Sequence, residues 1–303
     1  MTMTRVASFT QHSQLIAAVQ QHQQRLAIAS LQVATGKRGD SYDALGTDAV
    51  RQVRLSNIIA REAAYADAAR RAASRLATQD LHLGQLRDAA LGLRDAVLGA
   101  LSAGEARGLG TAAEAAFAAL RGVLNADHDG RPLFGGGLAD GDAFVPASLA
   151  ELVALPTTAD AFANGPIIDA AIVGDGQAIT TGFAGDMIGT PLAEALRQLG
   201  ALLPIDGPLD AAETAALNAV LPLIEAAVAD ANVVQAENGA RAAADEAIAA
   251  ADARAQDYEL ALAGIEDVDP AEAITRLQAE QTALQASYQV LAQIGRLSLV
   301  NFI

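Results

Sequence analysis

Leu15, Val19, His22, Leu26, Ala29 and Val33 step by 4, 3, 4, 3 and 4 residues, the spacing of a narrow coiled-coil seam and not of a broad globular face. Gly36 follows as a helix stop. Near the other terminus Ile274, Leu277, Gln281, Leu284, Tyr288 and Leu291 repeat the 3-4 step, and Ile294, Leu297 and Leu299 extend the apolar surface. Each end therefore predicts a helix in need of a helical partner. The economical arrangement is an antiparallel pair of the two ends, packed in turn on copies of itself. Between them, residues from about Thr47 to Leu101 carry an apolar line through Leu76, Leu83, Leu86, Ala90, Leu93 and Val97. A helix over about Arg107 to Leu124 comes next. Asp210 and Glu213 have the spacing of a capping box ahead of Leu217, Leu221, Ile224, Val228 and Ala231, with a kink expected at Pro222. The apolar line resumes at Ile248, Ala251, Ala255, Tyr258 and Leu262.

Helix breakers divide the chain. Residues 1–131 hold no proline, seven of the nine prolines fall between Pro132 and Pro208, and 17 of the 26 glycines lie between Gly104 and Gly207. The turn-rich middle, with β-like runs at Ile167 to Val173 and Ala178 to Phe183, reads as hairpins in a small β-containing subdomain. The predicted fold class is mainly α: an elongated helical bundle or coiled coil formed by both chain ends, with a small β-containing middle domain inserted. The expected segments are an N-terminal inner helix (1–39), the N-terminal half of a bundle with a hairpin (40–137), and an acidic, solvent-facing variable domain (138–208). The C-terminal half of the bundle (209–265) and a C-terminal inner helix (266–303) complete the chain.

Composition explains why such helices would be slender. Of 303 residues, 73 are alanine, nearly half of the 52% hydrophobic fraction. Alanine has the best helix propensity but contributes little buried area. The net charge of −16, from 20 basic and 36 acidic residues, argues against nucleic acid or an anionic membrane as a partner. That charge is unevenly placed. Asn125 to Glu213 hold 13 acids against Arg131 and Arg197, whereas the first 39 residues hold Arg5, Arg25, Lys37 and Arg38 and no acid.

Candidate chemistry is sparse. The absence of cysteine excludes disulfides, thiolate nucleophiles and cysteine-type zinc sites. His12, His22, His82 and His128 stand singly without a second ligand at helical spacing; His22, on the seam, reads as a polar register-setting residue. Asp127-His-Asp129-Gly fails the spacing of a calcium loop, Gly36-Lys37 lacks the earlier glycine of a phosphate loop, and no G-x-S-x-G is present. No catalytic residue, metal or cofactor is expected, and the chain does not read as an enzyme. Two other classes stay open: an adhesive cell-surface binding module using 138–208, and a hydrolase using paired acids of that region.

Leu31-Gln-Val-Ala-Thr-Gly-Lys-Arg38 resembles the L-x-x-L-S-T-G-K-R segment of the bacterial flagellin superfamily. Ala263-Gly-Ile-Glu-Asp-Val-Asp-Pro-Ala-Glu-Ala-Ile-Thr-Arg-Leu277 resembles its I-x-D-x-D-x-A-E segment, through Ile265, Asp267, Asp269, Ala271 and Glu272. Asn238-Gly-Ala-Arg241 is similar to a short glycine-alanine step in the family's long C-terminal helix. The resemblance spans roughly residues 1–135 and 210–303. Within the superfamily, Leu297-Ser-Leu-Val-Asn-Phe-Ile303 and Gly130-Arg-Pro-Leu-Phe-Gly135 look like the hook-associated branch at the hook–filament junction more than the filament-forming flagellins.

The resemblance implies a structural subunit of the bacterial flagellum, in the junction layer between hook and filament; a flagellin-type filament subunit is the alternative. It further implies copies of itself, hook-associated proteins, flagellin and an export chaperone as partners, and secretion through the flagellar type III apparatus to the cell exterior. The start Met1-Thr-Met-Thr-Arg5, which lacks the apolar run of a secretory signal, fits that expectation. The expected assembly interface is Leu15, Val19, Leu26, Val33, Ile274, Leu277, Leu284, Tyr288, Leu291 and Leu297. For Arg5, Arg25, Lys37 and Arg38 two arrangements are open: facing Asp267, Asp269 or Glu272 across the pair, or standing as exposed charges worth under about 1 kcal/mol.

Overall fold

The computed structural model describes the backbone of residues 2–39, 45–205, 207–236 and 239–300, and side chains within 13–39, 45–205, 207–232 and 240–293. Eight α-helices occur among the described residues: α1 Thr2–Thr35, α2 Ala49–Ala103, α3 Leu109–Leu124, α4 Leu149–Ala154, α5 Gly185–Gly200, α6 Ala211–Ala236, α7 Gly239–Glu266 and α8 Pro270–Val300. Four short strands accompany them: β1 Asp127–His128, β2 Arg131–Pro132, β3 Ala170–Gly174 and β4 Gln177–Thr180. The protein is mainly α with a small β-containing middle, the predicted class. The chain divides into two compact units, residues 1–61 with 254–303, and residues 62–253.

The second unit holds the larger core. Along α2, Ala66, Ala69, Ala72, Leu76, Gln79, Leu83, Leu86, Ala90, Leu93, Val97 and Ala100 are buried, a run of 3 and 4 steps that includes all six positions of the predicted line. From Leu83 onward they share a core with Phe117, Leu120 and Leu124 of α3, Ile188, Leu192 and Leu196 of α5, and Leu217, Val220 and Ile224 of α6, whereas Ala69 and Leu76 cluster with Val173 of β3, Ile179 of β4 and Ala244 of α7. Each buried leucine contributes roughly 1.5–3 kcal/mol, and the alanines between them let the backbones approach. Helix α6 opens with the expected capping box: Asp210 Oδ1 accepts from the Glu213 N–H at 2.7 Å, and Glu213 Oε2 accepts from the Asp210 N–H at 2.8 Å. It runs through Pro222 as one element. Among the described residues its window Ala211–Asn232 alone has the length and mean hydropathy, 1.3, of a membrane span. Leu217, Val220, Ile224 and Ala227 of that window lie in the core.

Two hairpins form where β-like runs and turn residues were expected. Strands β1 and β2 pair antiparallel around Asp129-Gly130, whose φ values of 53° and 72° give the doubly left-handed turn that suits strand twist. Strands β3 and β4 pair antiparallel with a register shift between Ile172 and Gly174. After β2 the backbone at Gly136 lies against Gly165, so close that a Cβ at Gly136 would sit 2.0 Å from the Gly165 carbonyl oxygen. That approach lets the Gly165 N–H donate to Gly135 O and the Ile167 N–H to Gly136 O. Phe144 bridges Phe117 and Phe162, with ring centroids 6.0 and 5.4 Å away.

Candidate assembly surface

In the first unit α1 and α8 pack together. Their direction is antiparallel, since Lys37, Gln32 and His22 reach Asp267, Arg276 and Glu280 in turn. Residues 36–38 after α1 and residues 266–268 before α8 close the pair with a polar latch. Gly36, at φ 69°, ends α1 in a left-handed cap whose N–H donates to Gln32 O. The chain then forms one antiparallel bridge, Lys37 against Asp267, flanked by the Arg38 N–H donating to Glu266 O at 2.7 Å and the Val268 N–H to Gly36 O at 2.9 Å. Asp269 caps α8 by accepting from the Ala271 N–H, with Pro270 as the first helical residue.

Side chains reinforce this backbone. Lys37 Nζ donates to Asp267 Oδ1 at 2.7 Å and to Glu266 Oε2 at 3.2 Å. The hydrogen bond to Asp267, and next that to Glu266, raise the Lys37 pKa above its ordinary 10.5. Gln52 Nε2 donates to the other Glu266 oxygen at 3.0 Å. Buried Gln32 donates to Arg38 O at 2.8 Å and accepts from Arg276. The two segments that carried the family resemblance, 31–38 and 263–277, are thus in direct contact.

Other expected charge contacts fall differently. Arg38 donates through Nε to Asp267 O, Arg25 lies 3.9 Å from Glu280, and Glu272 pairs with Arg276 of its own helix. Arg5 lies outside the described side chains. His22 faces Glu280 across the pair at 2.7 Å. Glu266, Gln32 and Glu280 escaped sequence reasoning. Glu266 was nevertheless signalled as the residue beside Asp267 in the recognised segment.

The ten expected interface residues separate by position. On α1, Val19 is buried, Leu15 and Leu26 are half-buried, and Val33 is 39% exposed. On α8, Leu277, Leu284 and Leu291 are half-buried, whereas Ile274 and Tyr288 are 45% and 48% exposed. Leu297 lies outside the described side chains. The less exposed stripe of α8 is Ala273, Leu277, Glu280, Leu284, Ser287 and Leu291, stepping by 4, 3, 4, 3 and 4. Every second member sits one residue before the expected one. Ala273 and Ser287 are small, Glu280 faces His22, Ile274 is left exposed, and Tyr288 reaches α1 through its hydroxyl, which accepts from Gln23 Nε2 at 2.7 Å. Ile16, Ile28 and Leu31 on α1 and Val290 on α8 are likewise large, apolar and exposed. The pair consequently buries one stripe of each helix and leaves apolar side chains of both in solvent.

Residues 221–303 match the family model of the bacterial flagellin C-terminal helical region. No curated protein sequence matches the chain. Among solved structures, a protein assigned as flagellar hook-associated from Vibrio parahaemolyticus is similar at 16% identity and a TM-score of 0.54, covering 71% of this chain and 97% of that one. FlgL of Bacillus cereus is similar at 14% identity and a TM-score of 0.51, covering 71% of this chain and 99% of that one. Residues 221–303 are thus similar to the flagellin C-terminal helical region, and the chain has a fold similar to that of these two structures.

Proposed function

We propose that the protein is a structural subunit of the bacterial flagellum, assembling as the junction layer between hook and filament through the outward face of the α1–α8 pair. The observation that carries this reading is the unpaired apolar surface of that pair, Ile16, Ile28 and Leu31 with Ile274 and Val290. Such side chains gain roughly 25 cal/mol per Å² when a neighbour covers them. Helices draw most of their stability from packing, and helices of 34 and 31 residues that bury one narrow stripe each gain more when neighbours cover the rest. Both similar structures named above are of hook-associated proteins, which favours the junction over the filament. Copies of the chain, hook-associated proteins and flagellin are the partners this role requires. Export through the flagellar type III route, with a dedicated chaperone, belongs to the same reading.

Deletion of the gene followed by electron microscopy tests it. A junction subunit leaves hooks without filaments and flagellin in the medium. A filament subunit leaves shortened or altered filaments, and normal flagella would refute both.

A further inference from the structure

Within the second unit a cleft of about 390 Å³ opens between α2 and the two hairpins. Three guanidinium-bearing residues line it: Arg71 and Arg75 from successive turns of α2, and Arg131 from β2. His128 lies beside them, its Nδ1 3.1 Å from Thr78 Oγ1, and Ala68, Ala72 and Ala171 form apolar walls. Among the described residues, the acids that contact its cationic groups are Asp129 on the rim, 3.7 Å from His128 Nε2 and 83% exposed, and Asp169, 3.5 Å from Arg75.

These cations are not equivalent. Arg75 is mostly buried and committed to structure, donating to the carbonyls of Thr181, Pro132 and Leu133. Burial lowers its pKa, Asp169 opposes that, and the like charge of Arg131 adds to it. Arg71 and Arg131, by contrast, have no ion-pair partner among the described residues, although the chain carries 16 more acids than bases. Like charges gathered on apolar walls cost electrostatic free energy that an incoming anion relieves, and guanidinium groups match the planar fork of an oxyanion.

We propose that this cleft is an oxyanion-binding site, in which Arg71 and Arg131 hold one carboxylate or phosphate group over the fixed charge of Arg75. The chemistry is shared by two sources, a free inorganic oxyanion and a carboxylate side chain of a second copy of the chain. It does not depend on the flagellar reading.

The test uses the full chain and its Arg71→Ala/Arg131→Ala variant, both residues being exposed. Inorganic phosphate is titrated at constant ionic strength against chloride, followed by amide chemical shifts of α2 and β2, and self-association is followed by sedimentation velocity. A free oxyanion predicts saturable shifts on a monomer, weakened at least tenfold in the variant. A second-copy carboxylate predicts self-association that phosphate competes away and the variant lacks. Absence of both saturation and phosphate-sensitive association, or a variant within twofold of the wild type in each, would overturn the proposal. Circular dichroism of the variant separates lost binding from lost fold.

Discussion

Lys37 and Asp267 stand 230 positions apart in sequence, yet Lys37 Nζ is 2.7 Å from Asp267 Oδ1 and their backbones form an antiparallel bridge. This bridge is where the ends of α1 and α8 are held in register. Side-chain and backbone contributions to it are separable by mutation. The Lys37 side chain is 42% exposed, so Lys37→Ala is expected to cost under about 1 kcal/mol. Its raised pKa means that the contribution is complete below pH 10.5 and fades as pH rises through the folded value. Amide exchange at Arg38 and Val268 across that alkaline range should quicken more in wild type than in Lys37→Ala.

Gly36 gives the backbone half of the latch. Nothing lies within 4 Å of a Cβ placed there, so Gly36→Ala meets only the φ of 69°. The expected cost is about 1 kcal/mol, read as faster exchange of the amides at position 36 and Val268 with the remaining helices unaffected. An unchanged exchange rate would show that the left-handed cap does not hold the latch.

Gly136 is a harsher case of the same residue type. A Cβ there falls 2.0 Å from Gly165 O at a φ of 58°, and backbone on both sides cannot yield cheaply. Gly136→Ala should destabilise the second unit by about 3 kcal/mol or more, visible as a lower urea midpoint.

Acid should weaken the second unit through Glu194. Hydrogen bonding from Arg197 chiefly, with burial opposing and Thr158 and Gln198 adding, lowers its pKa from 4.5 to about 2. A depressed folded value means that this stabilisation is present above pH 4.5 and is lost as pH falls toward 2. Allowing for solvent screening, the change is about 2 kcal/mol. Urea unfolding at pH 5 and pH 2.5 should show a larger drop in wild type than in Glu194→Gln; equal drops would remove the network as the cause.

Much of this architecture was legible because apolar spacing and burial coincide. Leu76, Leu83, Leu86, Ala90, Leu93 and Val97 are all in the core, and Asp210 with Glu213 forms the capping box their spacing announced. The α8 seam was legible only in half. A search for the most apolar stripe selects Ile274 and Tyr288, but the less exposed positions are Ala273, Glu280 and Ser287 beside the expected ones, and Tyr288 touches α1 through its hydroxyl. Steric fit between helices, which no single-helix pattern contains, decides between neighbouring stripes. The cationic cleft was hidden for a related reason: Arg71 and Arg131 are 60 positions apart, and only the packing of the hairpin on α2 joins them.

The proposed assembly surface is the outward face of the α1–α8 pair. Ile28 and Ile274, 55% and 45% exposed, make it directly testable without disturbing the pair itself. The measurement is the amount of an Ile28→Asp/Ile274→Asp chain retained in flagella purified from a deletion strain complemented with it, alongside its circular dichroism in solution. Wild-type helix content is expected, with at least a tenfold loss of incorporation and detached filaments. Incorporation at the wild-type level by a normally folded variant would contradict it.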